Sequence, residues 1–392
     1  MLSVANLLLA FIYLAFISLG LPDAVLGSAW PSMYSGLGVP VSYAGIISMI
    51  ISSGTVISAL MSDRLTRRFG AGRVTAVSVA VTAAALTGFS LSGSFIMLCI
   101  IALPYGLGAG SVDAALNNYV AIHYESRHMS WLHCMWGLGA SAGPFIMSYA
   151  LTSGLGWPSG YRFIGIFQVT LSAALLLSLP LWRRCSSGGE NGADAGERVS
   201  YGRLLRERGV WEDMLAFFCY CGMEQTAGLW AASYLVLNSG VNEETAAGLA
   251  SMFYLGITAG RLFSGFLTSR FDDTALPRLG YSLTAAAIVI LLLPAGQYVS
   301  AGALLLLGLG CAPVYPCYIH ATPARFGTNS SQAVMGLQMA SAFFGSTLVP
   351  PVFGFIARRT TFGVYPFYLL AFLLLMTLSH TRLERLRSCR AK

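Results

Sequence analysis

The sequence predicts an all-α membrane protein: twelve transmembrane helices in two pseudo-symmetric halves of six. Three observations predict it. First, the 392 residues are 56% hydrophobic and only 10% charged, with a mean hydropathy of +0.68. A soluble domain carries about 25% charged residues, so this surface needs lipid as its solvent. Second, apolar runs of about 18–25 residues recur along the chain, the length a bilayer demands. Third, the two halves of the chain repeat each other in sequence.

The runs lie at 6–30, 41–61, 73–92, 95–120, 131–153, 161–182, 211–237, 244–268, 278–295, 299–320, 331–355 and 363–380. The first, within MLSVANLLLAFIYLAFISLG, lacks a basic start and an A-x-A site. It reads as a membrane helix, not as a cleaved leader. Gly and Pro inside the runs are acceptable, because neighbouring helices satisfy the freed backbone groups. The eight cysteines lie in apolar runs or on the arginine-rich side, so no disulfide is expected.

Basic residues give an orientation. With the N-terminus in the cytoplasm, all of the 23 Lys and Arg except Arg162, Arg358 and Arg359 fall in inside loops, their flanks or the tail. Both termini are then cytoplasmic in a cell (inner or plasma) membrane. The net charge of +7 is spread over short loops, which argues against a nucleic-acid partner. The longest polar stretch, 183–209, begins as a Gly/Ser-rich linker and ends as YGRLLRERG. It divides a six-helix half, 1–182, from a second half, 210–381, followed by a tail, 382–392.

The halves match without a gap over GTVISALMSDRL (Gly54–Leu65) and GRLFSGFLTSRF (Gly260–Phe271), and more weakly over GLGAGSVD and GLGCAPVY. Two parallel six-helix repeats are what transporters of the major facilitator type show. MSDRLTRRFGAGR, between the second and third runs, resembles that superfamily's loop G-x-x-x-D-R-x-G-R-R. Its Asp63, Arg64, Arg67 and Arg68, with Arg270 in the second copy, are the expected gating residues. The copy carries Ser269 where the first has Asp63.

In a 3+3+3+3 arrangement the first helix of each triplet lines the cavity. Polar groups gather on those helices: Asp23 on the first; Asp113, Asn117 and Asn118 on the fourth; Glu224 and Gln225 on the seventh; Tyr315, Tyr318 and His320 on the tenth. A carboxylate at bilayer depth costs about 2.5–3.5 kcal/mol on insertion scales, so it belongs beside water or solute. Each could alternatively staple helices together. His133 on helix 5 reads equally as a packing histidine or a solute contact. Arg261 on helix 8 reads as the partner of a cavity or loop carboxylate, and is grouped with the gate. Trp136 and Trp230 offer flat faces for solute, although aromatics also belong at membrane interfaces.

There is no GxxxxGK[ST] and no cluster with metal-ligand spacing, so no nucleotide, metal or other cofactor is expected, and no enzyme activity. GAGSVDAALNNYV, WLHCMWGLGASAGP, YCGMEQTAGLWAASYL and AGRLFSGFLTSRF together resemble the fucose–galactose–glucose:proton symporter branch of the major facilitator superfamily. Asp113 stands where that branch commonly has Glu, and Asp23 lies a turn earlier than its helix 1 carboxylate.

The resemblance implies the major facilitator fold and proton-coupled uptake of a monosaccharide or related polar solute. The working unit is expected to be a single chain in the bilayer. Asp113, Glu224 and Asp23 are then the coupling candidates; sodium is the other possible ion. Asn117, Asn118, His133, Trp136, Gln225, Trp230 and Tyr315 are the solute candidates. A proton-driven exporter of drugs or metabolites, an organic-anion carrier using Arg261, and a transporter-shaped sensor are the rival readings.

Overall fold

The computed structural model describes residues 4–23, 25–40, 43–186, 200–241, 243–293 and 296–388. The middle of the predicted linker, 187–199, and the last residues of the tail lie outside these. Among the described residues, nine helices are long and apolar enough to cross a membrane. Three more, named below as α6, α10 and α11, complete the twelve; they carry His133, Glu224 and Arg261. The chain divides into two compact units. One comprises Met1–Tyr119 and Leu132–Arg198, the other Val120–Trp131 and Val199–Lys392.

In the first unit, the helix expected at 6–30 is broken into α1 (Val4–Gly20) and α2 (Val25–Met33). The break falls at Pro22, which has no N–H to give the carbonyl of Ser18. A buried orphan carbonyl is costly. Gln168 resolves this by donating from Nε2 to Ser18 O at 2.6 Å, while its own Oε1 accepts from Thr82 at 2.8 Å. Asp23 lies in the resulting turn.

Next come α3 (Ala44–Phe69) and α4 (Ala71–Ser90), both reaching past the expected ends at 61 and 73. The basic segment 61–69 is therefore helix, and the connection shrinks to Gly70. At φ 80° Gly70 adopts a backbone that a side chain would strain. The unit continues with α5 (Phe95–His123), α6 (Ser126–Thr152), α7 (Trp157–Leu177) and α8 (Leu179–Ser186). A Cβ at Gly139 or Gly143 of α6 would collide with the carbonyl oxygen of Ile17 or Leu21. Small residues thus bring α6 onto the α1 backbone, as is usual for membrane helices.

The second unit holds α9 (Tyr201–Leu204), α10 (Val210–Ser239), α11 (Glu243–Leu267), α12 (Ala275–Leu292), α13 (Gln297–Cys311), α14 (Val314–His320), α15 (Thr322–Phe326), α16 (Thr328–Arg359) and α17 (Tyr365–Ser388). The tenth predicted helix is interrupted at Pro313, between α13 and α14. Near the interruption, the Tyr220 hydroxyl donates to Cys311 O at 3.0 Å. The repeat seen in sequence is a packing repeat. A Cβ at Gly106 would strike Ile51 O of α3, and one at Gly308 would strike Phe253 O of α11.

The elbow Val120–Trp131, which joins the fourth and fifth membrane helices, packs within the second unit. His320 Nε2 meets Tyr124 O at 3.0 Å, and His320 Nδ1 meets Asp273 Oδ2 at 2.5 Å. Ser126 donates to the other oxygen of Asp273. Trp131 packs edge-on to Phe266 with ring centroids 5.5 Å apart.

Candidate functional site

The polar residues of the first unit form two short chains. On α5, Asn117 sits one turn after Asp113 on the same face. Its Nδ2 donates to Asp113 Oδ1 at 2.8 Å and to Asp113 O at 3.0 Å. Its Oδ1 lies 3.0 Å from His133 Nε2. One turn along α6 from His133, Trp136 donates from Nε1 to Asp23 Oδ2 at 2.8 Å. The glycine seam between α1 and α6 makes that reach possible. Asp23 is exposed and Asp113 half-buried, whereas Asn117 has no exposed surface. Both carboxylates accept from neutral side-chain donors, the Trp136 indole and the Asn117 amide.

The second unit carries a different arrangement. Arg261 Nη2 of α11 lies 3.4 Å from Glu224 Oε1 of α10, with Arg261 almost fully buried. Tyr220, one turn before Glu224, neighbours both, and Tyr315 borders Arg261. Tyr315 also packs on Phe217 and donates to Met339 Sδ. About three turns before Glu224 on α10 is a second ion pair. Asp213 and Arg325 are 3.4 Å apart with side chains 0% and 1% exposed. Gln338 donates to the other oxygen of Asp213 and exchanges a hydrogen bond with Thr322. The guanidinium of Arg325 lies 4.8 Å over the Tyr318 ring, whose hydroxyl meets Tyr281 and His380.

Several expected site residues are occupied otherwise. Asn117, Asn118 and His133 are buried, so none of them presents a free surface to solute here. Trp230 is taken up by packing: its indole N–H donates to Pro350 O at 2.9 Å, and its ring meets Phe353 and Phe362. Gln225 is exposed. At the expected gate, Arg67 Nε binds Asp63 Oδ1 at 2.9 Å, one turn apart on α3, while Arg64, Arg68 and Arg270 are exposed.

Sequence reasoning missed Asp213 and Arg325, one left at a helix end and the other assigned to a loop. The signal was available for the first. Asp213, Phe217, Tyr220 and Glu224 recur at i, i+4, i+7 and i+11, which is one face of a helix.

The sequence profile of the Major Facilitator Superfamily matches residues 12–350. The chain belongs to this superfamily. It is similar to the glucose/mannose transporter GlcP of Bacillus subtilis, 22% identical over 90% of this chain and 88% of the relative. Its fold matches the crystal structure of the E. coli fucose:proton symporter FucP, with a TM-score of 0.73 at 18% identity over 96% of this chain and 98% of that one. It also matches the proton:xylose symporter XylE, with a TM-score of 0.76 at 13% identity over 95% and 94%. As a superfamily member the chain is a multi-pass membrane protein and a secondary transporter, not an enzyme.

Proposed function

We propose that the chain takes up a monosaccharide, or a closely related polyhydroxylated solute, together with a proton, by alternating access. The observation that carries this reading is the pair Asp23 and Asp113. Both are carboxylates within the transmembrane region, and both are held by neutral donors. Such a group can take up a proton at the cost of one hydrogen bond, without stranding a buried cation. The relatives' names, glucose/mannose, fucose and xylose transporters, support a sugar as the solute. Asp113 carries the proton in this reading, with Asp23 as its neighbour. Trp136 offers its face to the sugar, and Glu224 with Gln225 bonds the hydroxyls.

The test is uptake of labelled monosaccharides into proteoliposomes with and without an inward proton gradient. Concentration of a sugar that collapses on adding a protonophore is the expected result. Accumulation of hydrophobic cations with no sugar flux would replace this reading by the exporter. We further propose that both termini lie in the cytoplasm, supported by the arginine asymmetry. A cysteine at exposed Gly202 should then resist impermeant thiol reagents in intact cells lacking the native cysteines.

A further inference from the structure

The link between His133 and Asp113 has a direction. An amide has one donating end and one accepting end. Asn117 spends its Nδ2 on Asp113 Oδ1 and on Asp113 O. Its Oδ1 therefore faces His133 Nε2, and at 3.0 Å that nitrogen must be the donor. His133 is held in turn: it is 5% exposed, and its ring stands edge-on to Phe16 of α1 at 5.5 Å. The chain His133 N–H to Asn117 to Asp113 thus presents the donating end of the amide to the carboxylate. If the amide were inverted, its oxygen would suit Asp113 Oδ1 only when that carboxyl is protonated, and the bond to the Asp113 carbonyl would be lost as well.

We propose that His133 is a positioning residue: its Nε2–H locks the Asn117 amide in the orientation that supports ionised Asp113, and so favours release of the proton from Asp113. It touches neither solute nor proton in this role. The group facing Asp113 from the α1–α2 turn is Asp23, which bears on it as a like charge. From α6 the group is His133, acting through Asn117. On α5 itself, the buried Tyr105 lies in the field of Asp23, and Tyr119 is a second buried phenol. Asp23 and Tyr105 are unchanged in the variants below.

The inference rests on the reading of Asp113 as proton carrier, and its test is made on the purified protein, without transport. The protonated carboxyl of Asp113 gives an infrared band that D113N removes, and its intensity is followed against pH. H133L removes the N–H and should raise the midpoint by about one pH unit, the equivalent of about 1.4 kcal/mol. H133Q, which can place an N–H at the Nε2 position, should titrate with the unmodified protein. In an N117S background, H133L should add nothing further, because the link is already cut.

Equal midpoints in H133L and the unmodified protein would overturn the inference. So would equal displacement in H133L and H133Q, or an undiminished effect of H133L on N117S. Should H133L fail to fold, H133M removes the same N–H. If the titration behaves as expected but uptake proves independent of protons, the transport reading fails and the positioning role stands. If uptake is proton-driven while H133L raises KM with an unmoved midpoint, the transport reading stands and His133 is a solute contact.

Discussion

In the first unit, Asp113 and Asp23 meet an amide and an indole; in the second, Glu224 and Asp213 meet arginines. The residue type is nearly the same in both places, but the chemistry available is not. A carboxylate facing a neutral donor can be protonated for the loss of one hydrogen bond, about 1.5–3 kcal/mol when the acceptor is charged. A carboxylate facing a buried guanidinium leaves an uncompensated cation if it is protonated, which costs about 3–5 kcal/mol. In the proposed mechanism, proton loading therefore belongs to the first unit and permanent charge to the second.

The sharpest way to break it is Asp113→Asn. Concentrative uptake under a proton gradient should vanish, the accumulation ratio falling to unity. Counterflow exchange, which needs no net proton movement, should persist. An Asp113→Asn protein that still concentrates solute would move the coupling to Glu224, Asp23 or a sodium ion.

Arg325→Met tests the opposite pole. With the buried Asp213 left without its counter-ion, thermal unfolding in detergent should report a loss of about 3–5 kcal/mol. Removing both charges in Arg325→Met with Asp213→Leu should recover much of it. If the single and double variants unfold alike, the pair is not what holds these helices.

Glu224→Gln should reduce both uphill uptake and exchange, with solute affinity about tenfold weaker, near 1.4 kcal/mol. Ligand-induced thermal stabilisation would measure it. Asp63→Asn, which breaks the one-turn pair with Arg67, should slow turnover several-fold and leave equilibrium solute affinity in place, because it biases conformations and does not touch solute.

The smallest effect concerns a neutral-donor carboxylate at the surface. Asp272 accepts from the Thr274 hydroxyl and from the Thr274 and Ala275 N–H groups. The Thr274 hydroxyl chiefly, with the backbone donors, holds its carboxyl below the usual 3.8. A depressed value stabilises the fold above the unfolded value and is lost as pH falls through the folded one. Asp272→Ala should therefore cost about 0.5–1 kcal/mol near neutral pH, and its stability should converge with that of the parent under strong acid.

Much of this was legible in the sequence, and the residues show why the rest was not. Twelve apolar runs, the repeat at Gly54 and Gly260, and the partnering of Asp113 with Asn117 follow from length, identity and helical spacing. Hydropathy averages over about nineteen residues, so it passed over the break at Pro22 and the extension of α3 to Phe69. It also gives no depth to a residue near a helix end, which hid Asp213. Arg325 was harder. Its burial depends on Asp213, Tyr318 and Glu384, which lie 112, 7 and 59 residues away in sequence, and no local pattern encodes that meeting. His133 was noticed as a residue, but its partner sits 16 positions away on another helix.

The elbow of Val120–Trp131 bears on how such a chain can be taken apart. A gene cut within 183–209 would yield two polypeptides, one per sequence repeat, yet the line of packing runs elsewhere. Tyr124 and Ser126 would leave with the first polypeptide, while His320 and Asp273, which bind them, stayed in the second. Each fragment would lose the contacts that this elbow makes, and the second would expose the seat that Trp131 fills over Gly265. Co-expression of both fragments, and not either alone, is the natural way to rebuild this protein from pieces.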